Sequence, residues 1–335
     1  MNKVHLLDCT LRDGGYVNEW NFGKDNINEI FQALCNIGLD YVEVCFMQQC
    51  EYNKDVVLFN RMDQVSTTFR NAIQKKAVIV SVGDGYPETA FPERTDGSAE
   101  LVRVMIRKRS IDEGFAYCSH LRKLGYDVGV QLVRAEQYES QEYAELMQKF
   151  STVNPVAIYV VDSFGLLNEE KLLHYAEIAD DNIGDGIFLG YHAHNNMQQA
   201  LSNSVALIKR PCKHEIILDA SVLGMGRGAG NLQLELILKY LNENKLGKYN
   251  ESPTIDIAER VAAYYSMAPW GYSMPYYLSA INGRNPSFVP YLEGKNLTIP
   301  QIAKIFLTMK TRNVGIMFDK SLCDSIVEDV LTGSC

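Results

Sequence analysis

VGVQLV at Val128–Val133, VAIYVV at Val156–Val161 and GIFLGY at Gly186–Tyr191 are short apolar runs, each followed by a longer stretch with apolar residues at helical spacing: Tyr143–Phe150, Glu169–Ala179 and Met197–Ile208. Six residues of continuous apolar character suit a strand buried on both faces, as in a parallel sheet covered by helices. Working outward in both directions, the same alternation recurs. Val4–Cys9, Tyr41–Phe46, Ala77–Val82 and Leu101–Ile106 precede these runs, and Glu215–Leu218 follows them. Asp25–Ile37 carries Ile27, Ile30, Phe31 and Leu34 on one helical face and stops at Gly38. A second helical stretch ends at Leu124 before Gly125, and a third covers Leu232–Leu241. Eight strand–helix units over roughly 240 residues match the size of a closed (β/α)8 barrel of about 250. A doubly wound open sheet is the rival, and eight regular units favour closure. The expected architecture is therefore α/β, a TIM barrel over 1–247, with a helical C-terminal extension over 248–335 packed on it. That extension contains helix-like Ile255–Tyr265 and Ile299–Met309, separated by the aromatic stretch Trp270–Tyr277. Asp84–Asp96 reads as a loop over the barrel mouth.

Composition narrows the function. The chain has 335 residues, 47% hydrophobic and 22% charged, with a formal net charge of −9. An acidic chain is poorly suited to gripping nucleic acid or anionic lipid, both of which demand surplus cations. No apolar run reaches the roughly 20 residues of a membrane span, and Met1–Asp8 lacks a signal-peptide core. The expected location is the cytoplasm. Eight cysteines, at 9, 35, 45, 50, 118, 212, 323 and 335, form no C-x-x-C pair and read as small buried hydrophobes rather than disulfide or zinc ligands.

Function in such a barrel sits where strands end at their C-termini. Strand one runs into Asp8-Cys9-Thr10-Leu11-Arg12-Asp13-Gly14-Gly15-Tyr16, strand six into Asp162-Ser163, and strand seven into His192-Ala193-His194-Asn195. The eighth strand runs into Asp219 and then the glycine-rich Gly224–Asn231. Side chains alternate along a strand, so His192 and His194 share a face and can share an ion. Two imidazoles and one carboxylate with open positions suit a catalytic divalent cation. Asp13 is the chosen carboxylate; Asp8 or Asp162 could take its place, although each reads better as a structural hydrogen-bond acceptor. Arg12, beside Asp13, can stabilise an enolate or carboxylate oxygen through its fixed fork. Glu43 lies on an otherwise apolar strand, where burial unpaired is costly; pairing with Arg12 removes that cost and fixes the guanidinium from behind. Gly224–Ala229 fits G-x-G-x-x-[GA], but too little α/β pattern follows for a dinucleotide domain. It reads instead as a turn admitting substrate to backbone N–H groups, with Arg227 as an anion contact.

Asp8-x-Thr10-Leu11-Arg12-Asp13-Gly14, the H-x-H-N of strand seven and the glycine-rich segment ending in Asn231 together resemble the DRE-TIM metallolyases, the HMG-CoA-lyase-like superfamily, and within it the 4-hydroxy-2-oxovalerate aldolase branch. The resemblance covers residues 1 to about 245. It implies Mn²⁺ or Mg²⁺ held by Asp13, His192 and His194, with Asn231 a further ligand. It implies Arg12 as the enolate-stabilising arginine, Glu43 as its acidic neighbour and Ser163 in the keto-acid site. The branch carries a histidine base four residues after the motif arginine; here that position is Tyr16. The base is therefore Tyr16, another aromatic hydroxyl such as Tyr272 or Tyr276, or metal-bound hydroxide. A tyrosine near its ordinary pKa of about 10 needs a cation to act as a base. The C-terminal tail does not resemble the segment with which these aldolases dock a partner dehydrogenase, so the resemblance does not extend to that partner.

The resemblance thus implies an aldolase that joins or splits pyruvate and an aldehyde through a metal-stabilised enolate, with a small 2-keto acid and an aldehyde as its partners. Homo-oligomeric assembly is expected. A Claisen-type acyl-CoA lyase or synthase on the same scaffold is the alternative, although Gly224–Gly230 lacks the cysteine of HMG-CoA lyases. A non-catalytic ligand-binding barrel is the other.

Overall fold

A computed structural model of the chain describes residues 2–70 and 74–333. Eight strands form the barrel: β1 (Val4–Asp8), β2 (Tyr41–Met47), β3 (Lys75–Ser81), β4 (Leu101–Ile106), β5 (Asp127–Leu132), β6 (Ala157–Asp162), β7 (Phe188–Ala193) and β8 (Ile216–Ala220). Each pairs in parallel with its sequence neighbours, and β1 closes the ring, pairing with β8 along its length and with β2 at Leu7–Tyr41 and Asp8–Val42. A two-residue strand, Leu58–Phe59, adds to the end of β2; its brevity kept it out of the sequence pattern.

Strand alternation sorts the apolar residues into two bodies. Leu6, Val42, Val44, Val102, Val104, Val130, Ile158, Val160 and Leu189 belong to the large cluster shared with the helices. Leu7, Cys9, Tyr41, Ala77, Leu101, Ala157, Tyr159, Val161 and Ile217 form a separate one, the barrel's own filling. This two-sided burial explains why the strands read as unbroken apolar runs. His5 stacks on Phe188 at 4.4 Å in the same barrel end as Leu7 and Leu101.

The helices follow the expected places with shifted ends. Lys24–Cys35 stands for the predicted 25–37, Ala200–Lys209 starts three residues later than the pattern, and Leu234–Glu243 two residues later. Asp84–Asp96 is loop apart from a single 3-10 turn at Glu88–Ala90. After the barrel come helices Ser252–Tyr265, Met274–Ile281, Phe288–Glu293, Ile299–Thr311 and Lys320–Thr332. Ile257, Val261, Tyr264 and Trp270 join the barrel's outer core, whereas Phe288, Leu292, Ile305, Phe306, Met309, Cys323 and Ile326 pack in a core of their own. The aromatic stretch is thus divided: Trp270 is buried and donates Nε1–H to Leu223 O at 2.9 Å, and Tyr272 is 56% exposed. None of the seven described cysteines is in a disulfide; Cys335 lies outside the described residues. Among the described residues no helix is long and apolar enough to cross a membrane.

Candidate active site

β1 and β7 bring the two ends of the motif together. Asp13, His192 and His194 are buried and offer ligand atoms all within 4.8 Å of one another. The imidazole rings stand 4.9 Å apart and nearly perpendicular. The tautomers follow from what each Nδ1 faces. His194 Nδ1 lies 3.0 Å from Asp162 O, an acceptor, so Nδ1 carries the proton and Nε2 keeps its lone pair. His192 Nδ1 lies 2.8 Å from Asp219 Oδ2, so it too carries a proton and donates it. Burial pushes the His194 imidazole down to about 3, reinforced by His192 and Arg227 and opposed by Asp13, so it is neutral at physiological pH. Burial alone would raise Asp13, but Arg12, His194 and His192 hold its carboxyl well below the usual range. Asn231 Nδ2–H donates to Asp13 Oδ2 at 2.7 Å.

This donor set fits a divalent cation. One ionised carboxylate and two imidazoles converge, and His194 Nε2 and Asn231 Oδ1 are buried with no hydrogen-bond partner among the described residues. Orphaned buried acceptors are costly unless something meets them. The glycine-rich segment allows the approach: a Cβ on Gly226 would lie 2.3 Å from Asn231 Nδ2 and 2.7 Å from Asp13 Oδ2. Gly226 thus makes room beside the Asp13 carboxylate.

Asp8 and Asp162 do not join the triad. Asp8 accepts from Thr10 N–H at 2.8 Å and from the Thr10 hydroxyl at 2.7 Å, tying the motif to β1. Asp162 accepts from Leu166 and Leu167 N–H at 2.9 and 3.1 Å.

Arg12 touches Asp13 through Nη1 and donates Nε–H to Glu43 at 2.5 Å, the pairing expected for an acid on an apolar strand. Glu43 also meets Arg103 Nη1 at 2.8 Å, Arg103 pairs with Asp219, and Asp219 returns to His192. A buried circuit therefore leaves the triad at Asp13 and re-enters it at His192. It holds two guanidiniums against three carboxylates, a surplus of one negative charge that a dication would reverse. Sequence reading missed Arg103 and left Asp219 without a role. The signal was available: Arg103 interrupts LVRVMI just as Glu43 interrupts YVEVCFM. Its space comes from glycine, since a Cβ on Gly129 would press on Arg103 Cγ at 3.2 Å. Tyr159 lies under its guanidinium, 4.7 Å away.

Tyr16, Ser163 and Arg227 line a cleft of about 500 Å³ at the mouth, together with Met105, Phe164 and Met317. Ser163 Oγ accepts Arg134 N–H at 3.0 Å, and Arg227 donates to Asn285 Oδ1 at 2.5 Å and to Ser287 Oγ at 2.9 Å. Arg227 also stands over the Tyr16 ring, 5.7 Å from its centre. Despite Arg227 and Arg12, desolvation holds the Tyr16 phenol above its ordinary value. Tyr276 lines a smaller cavity of about 240 Å³ that also reaches Tyr16, and burial pushes its phenol up to about 12.

Comparison with known proteins places this geometry. The chain is 26% identical over 245 residues to a 4-hydroxy-2-oxovalerate aldolase of Geobacillus genomosp. 3, covering 71% of this chain and 70% of that one. It is 25% identical over 289 residues to an oxaloacetate decarboxylase of Mycobacterium tuberculosis, covering 81% and 82%. Among solved structures, the N-terminal domain of a candidate aldolase from Bacteroides vulgatus superposes with a TM-score of 0.70 at 24% identity, covering 86% of this chain and 96% of that one. The model of the HMGL-like family matches residues 3–261. With a match over more than half its length, this chain belongs to the HMGL-like family.

Proposed function

We propose that this chain is a divalent-metal-dependent lyase that forms or cleaves the carbon–carbon bond between a pyruvate-like 2-keto acid and an aldehyde. The convergence of Asp13, His192 and His194 beside buried Arg12, at the mouth of a cleft, carries this reading. A cation held there, Mn²⁺ or Mg²⁺, would supply Lewis acidity toward the keto and carboxylate oxygens. Asn231 steadies Asp13 and stands as a further ligand.

Arg12 is charged before substrate arrives, because Glu43 and Asp13 outweigh its burial. Its Nε and Nη1 are committed to those carboxylates, and Nη2 makes no hydrogen bond among the described residues. That free edge can meet an enolate oxygen, whose charge develops only as the reaction proceeds. Glu43 and Arg103 position the guanidinium, and Asp219 positions His192, so neither must reorganise during turnover. Tyr16, whose phenol stays above its ordinary value, is suited to give its proton to the new alkoxide in condensation; cleavage is the reverse step and starts from the tyrosinate. Ser163 and Arg227 contact the keto acid at the cleft wall.

The test is exchange of the pyruvate methyl protons in deuterated water, followed by mass spectrometry. Exchange with Mg²⁺ or Mn²⁺ that stops on chelation, with pyruvate released from a 4-hydroxy-2-keto acid, supports the reading. Metal-loaded protein that exchanges nothing sinks it in favour of a non-catalytic barrel, and turnover of an acyl-CoA instead moves the function to Claisen chemistry. The similarity to an oxaloacetate decarboxylase favours one second reading, in which loss of CO₂ from oxaloacetate produces the same pyruvate enolate; CO₂ release without added aldehyde distinguishes it.

A further inference from the structure

Beyond the triad, the wall of the cleft is basic. Arg107, Lys108 and Arg109 follow β4, Arg134 follows β5, and Arg227 comes from the glycine-rich segment; Asp84 is the acid lining the same cleft. Counting every acid paired to these residues, Asp84, Glu136 and Glu142, the wall keeps two surplus positive charges in a chain whose net charge is −9. Arg109 makes no ion pair among the described residues. Arg134 is held in place at the cost of backbone strain. It adopts φ 59, a left-handed conformation unfavourable for a residue with a Cβ. Its N–H is bound to Ser163 Oγ, and its guanidinium lies over Phe164, 4.8 Å from the ring centre. Strain kept at a site mouth, supported by three partners, points to a placed side chain rather than a solvated one.

The cleft is also too large for pyruvate alone: about 500 Å³ lies within the range of pockets that enclose ligands of many atoms. The keto acid has Arg12, Arg227 and the cation site to meet it, which leaves Arg107, Arg109 and Arg134 without a substrate anion.

We infer that the aldehyde joined to the keto acid ends in an anionic group, a phosphate or a carboxylate, received by Arg107, Arg109 and Arg134. The inference rests on the aldolase reading and adds the substrate class. In condensation, pyruvate loses a C3 proton, and C3 bonds to the aldehyde carbon. The carbonyl π pair goes to oxygen, which takes up a proton, while the anionic end stays unchanged against the arginines. Guanidiniums receive either group through paired N–H donors.

The test uses the full-length, metal-loaded protein, pyruvate and three aldehydes of matched length ending in phosphate, carboxylate or methyl. Pyruvate proton exchange, read first, stands or falls with the aldolase reading alone. Given exchange, kcat/KM at least tenfold higher for one or both anionic aldehydes is the expected result, and their ranking identifies the group. That preference shrinks as salt rises from 0.02 to about 0.5 M, through screening. Arg109→Glu, an exposed site where misfolding is not expected, lowers the anionic-to-methyl ratio tenfold or more, and Arg134→Gln lowers it as well. Equal turnover, preference for the methyl aldehyde, or no turnover of either anionic aldehyde while exchange proceeds overturns the inference. An unchanged ratio in both variants does so too. Protein without exchange overturns the aldolase reading, and this inference with it.

Discussion

The molecule has two interiors built on opposite principles. Between the C-terminal helices, Phe288, Val289, Leu292, Ile302, Ile305, Phe306, Met309 and Ile326 fill space with hydrocarbon. Inside the barrel, above Leu7, Ala77 and Leu101, the filling turns ionic: Arg12, Glu43, Arg103, Asp219 and His192 form one buried chain. Hydrocarbon packing stabilises by removing apolar area from water, at about 25 cal/mol per Å². A buried ion network gains little by comparison, because desolvation offsets most of the Coulomb attraction, and well-packed apolar residues often do as well or better. The ionic interior is therefore poorly explained by stability alone. It is explained by what it holds: Arg12 fixed by Glu43 beside Asp13, and His192 fixed by Asp219.

The contrast can be broken most severely at His192. His192→Ala should abolish binding of Mn²⁺ or Mg²⁺ and lower turnover by about 10³-fold or more, with the metal-free fold retained; metal analysis alongside kinetics checks both, and retained metal with retained turnover would show that the site is misassigned. Next comes Arg103→Met, which takes one buried cation from both Glu43 and Asp219, leaving Glu43 only Arg12 and Asp219 only His192. Breaking a buried pair costs about 3–5 kcal/mol, so urea unfolding should shift strongly and turnover should fall, since both catalytic side chains lose their support. In the other interior, Phe306→Ala should cost about 3 kcal/mol or somewhat more and leave kcat/KM intact wherever the protein is folded. Equal catalytic damage from Phe306→Ala and Arg103→Met would erase the distinction between the two regions.

The mildest expected effect concerns pH. Burial raises the Asp8 carboxyl from 3.8 to about 7, against the opposing hydrogen bonds from Thr10. The folded chain then keeps a proton that the unfolded chain releases. The associated stability is fully present below about pH 4 and is lost as pH rises towards 7, by up to about 1.4 kcal/mol per unit. Denaturation midpoints of Asp8→Asn should show a flatter slope across this window than those of the parent chain, and identical slopes would reject the assignment.

Much of the fold was legible because strand and helix periods are local. VAIYVV and its relatives could be placed within a residue or two, since an apolar run of that length has few other uses. Helix ends were less legible: Ala200–Lys209 begins late because Asn195 Oδ1 accepts the Ala200 N–H at 3.1 Å, a cap supplied from the loop after β7. In the site, Asp13, His192 and His194 were readable as residue types suited to one ion, and Glu43 was readable as a charge in need of a partner. Arg103 carried the same signal and its partners remained invisible, because they lie on β2 and β8, far along the chain.

The sequence by itself determined which residues could form strands, which faces would be buried and which side chains could bind a cation. Those properties depend on spacing and on side-chain chemistry. Only the tertiary structure decided that the circuit from Asp13 to His192 closes, that Arg227 stands over the Tyr16 ring, and that five cations from three separate loops share one cleft. Charge balance and desolvation depend on distances through space, and barrel closure sets those distances by bringing every strand's C-terminal end to the same rim.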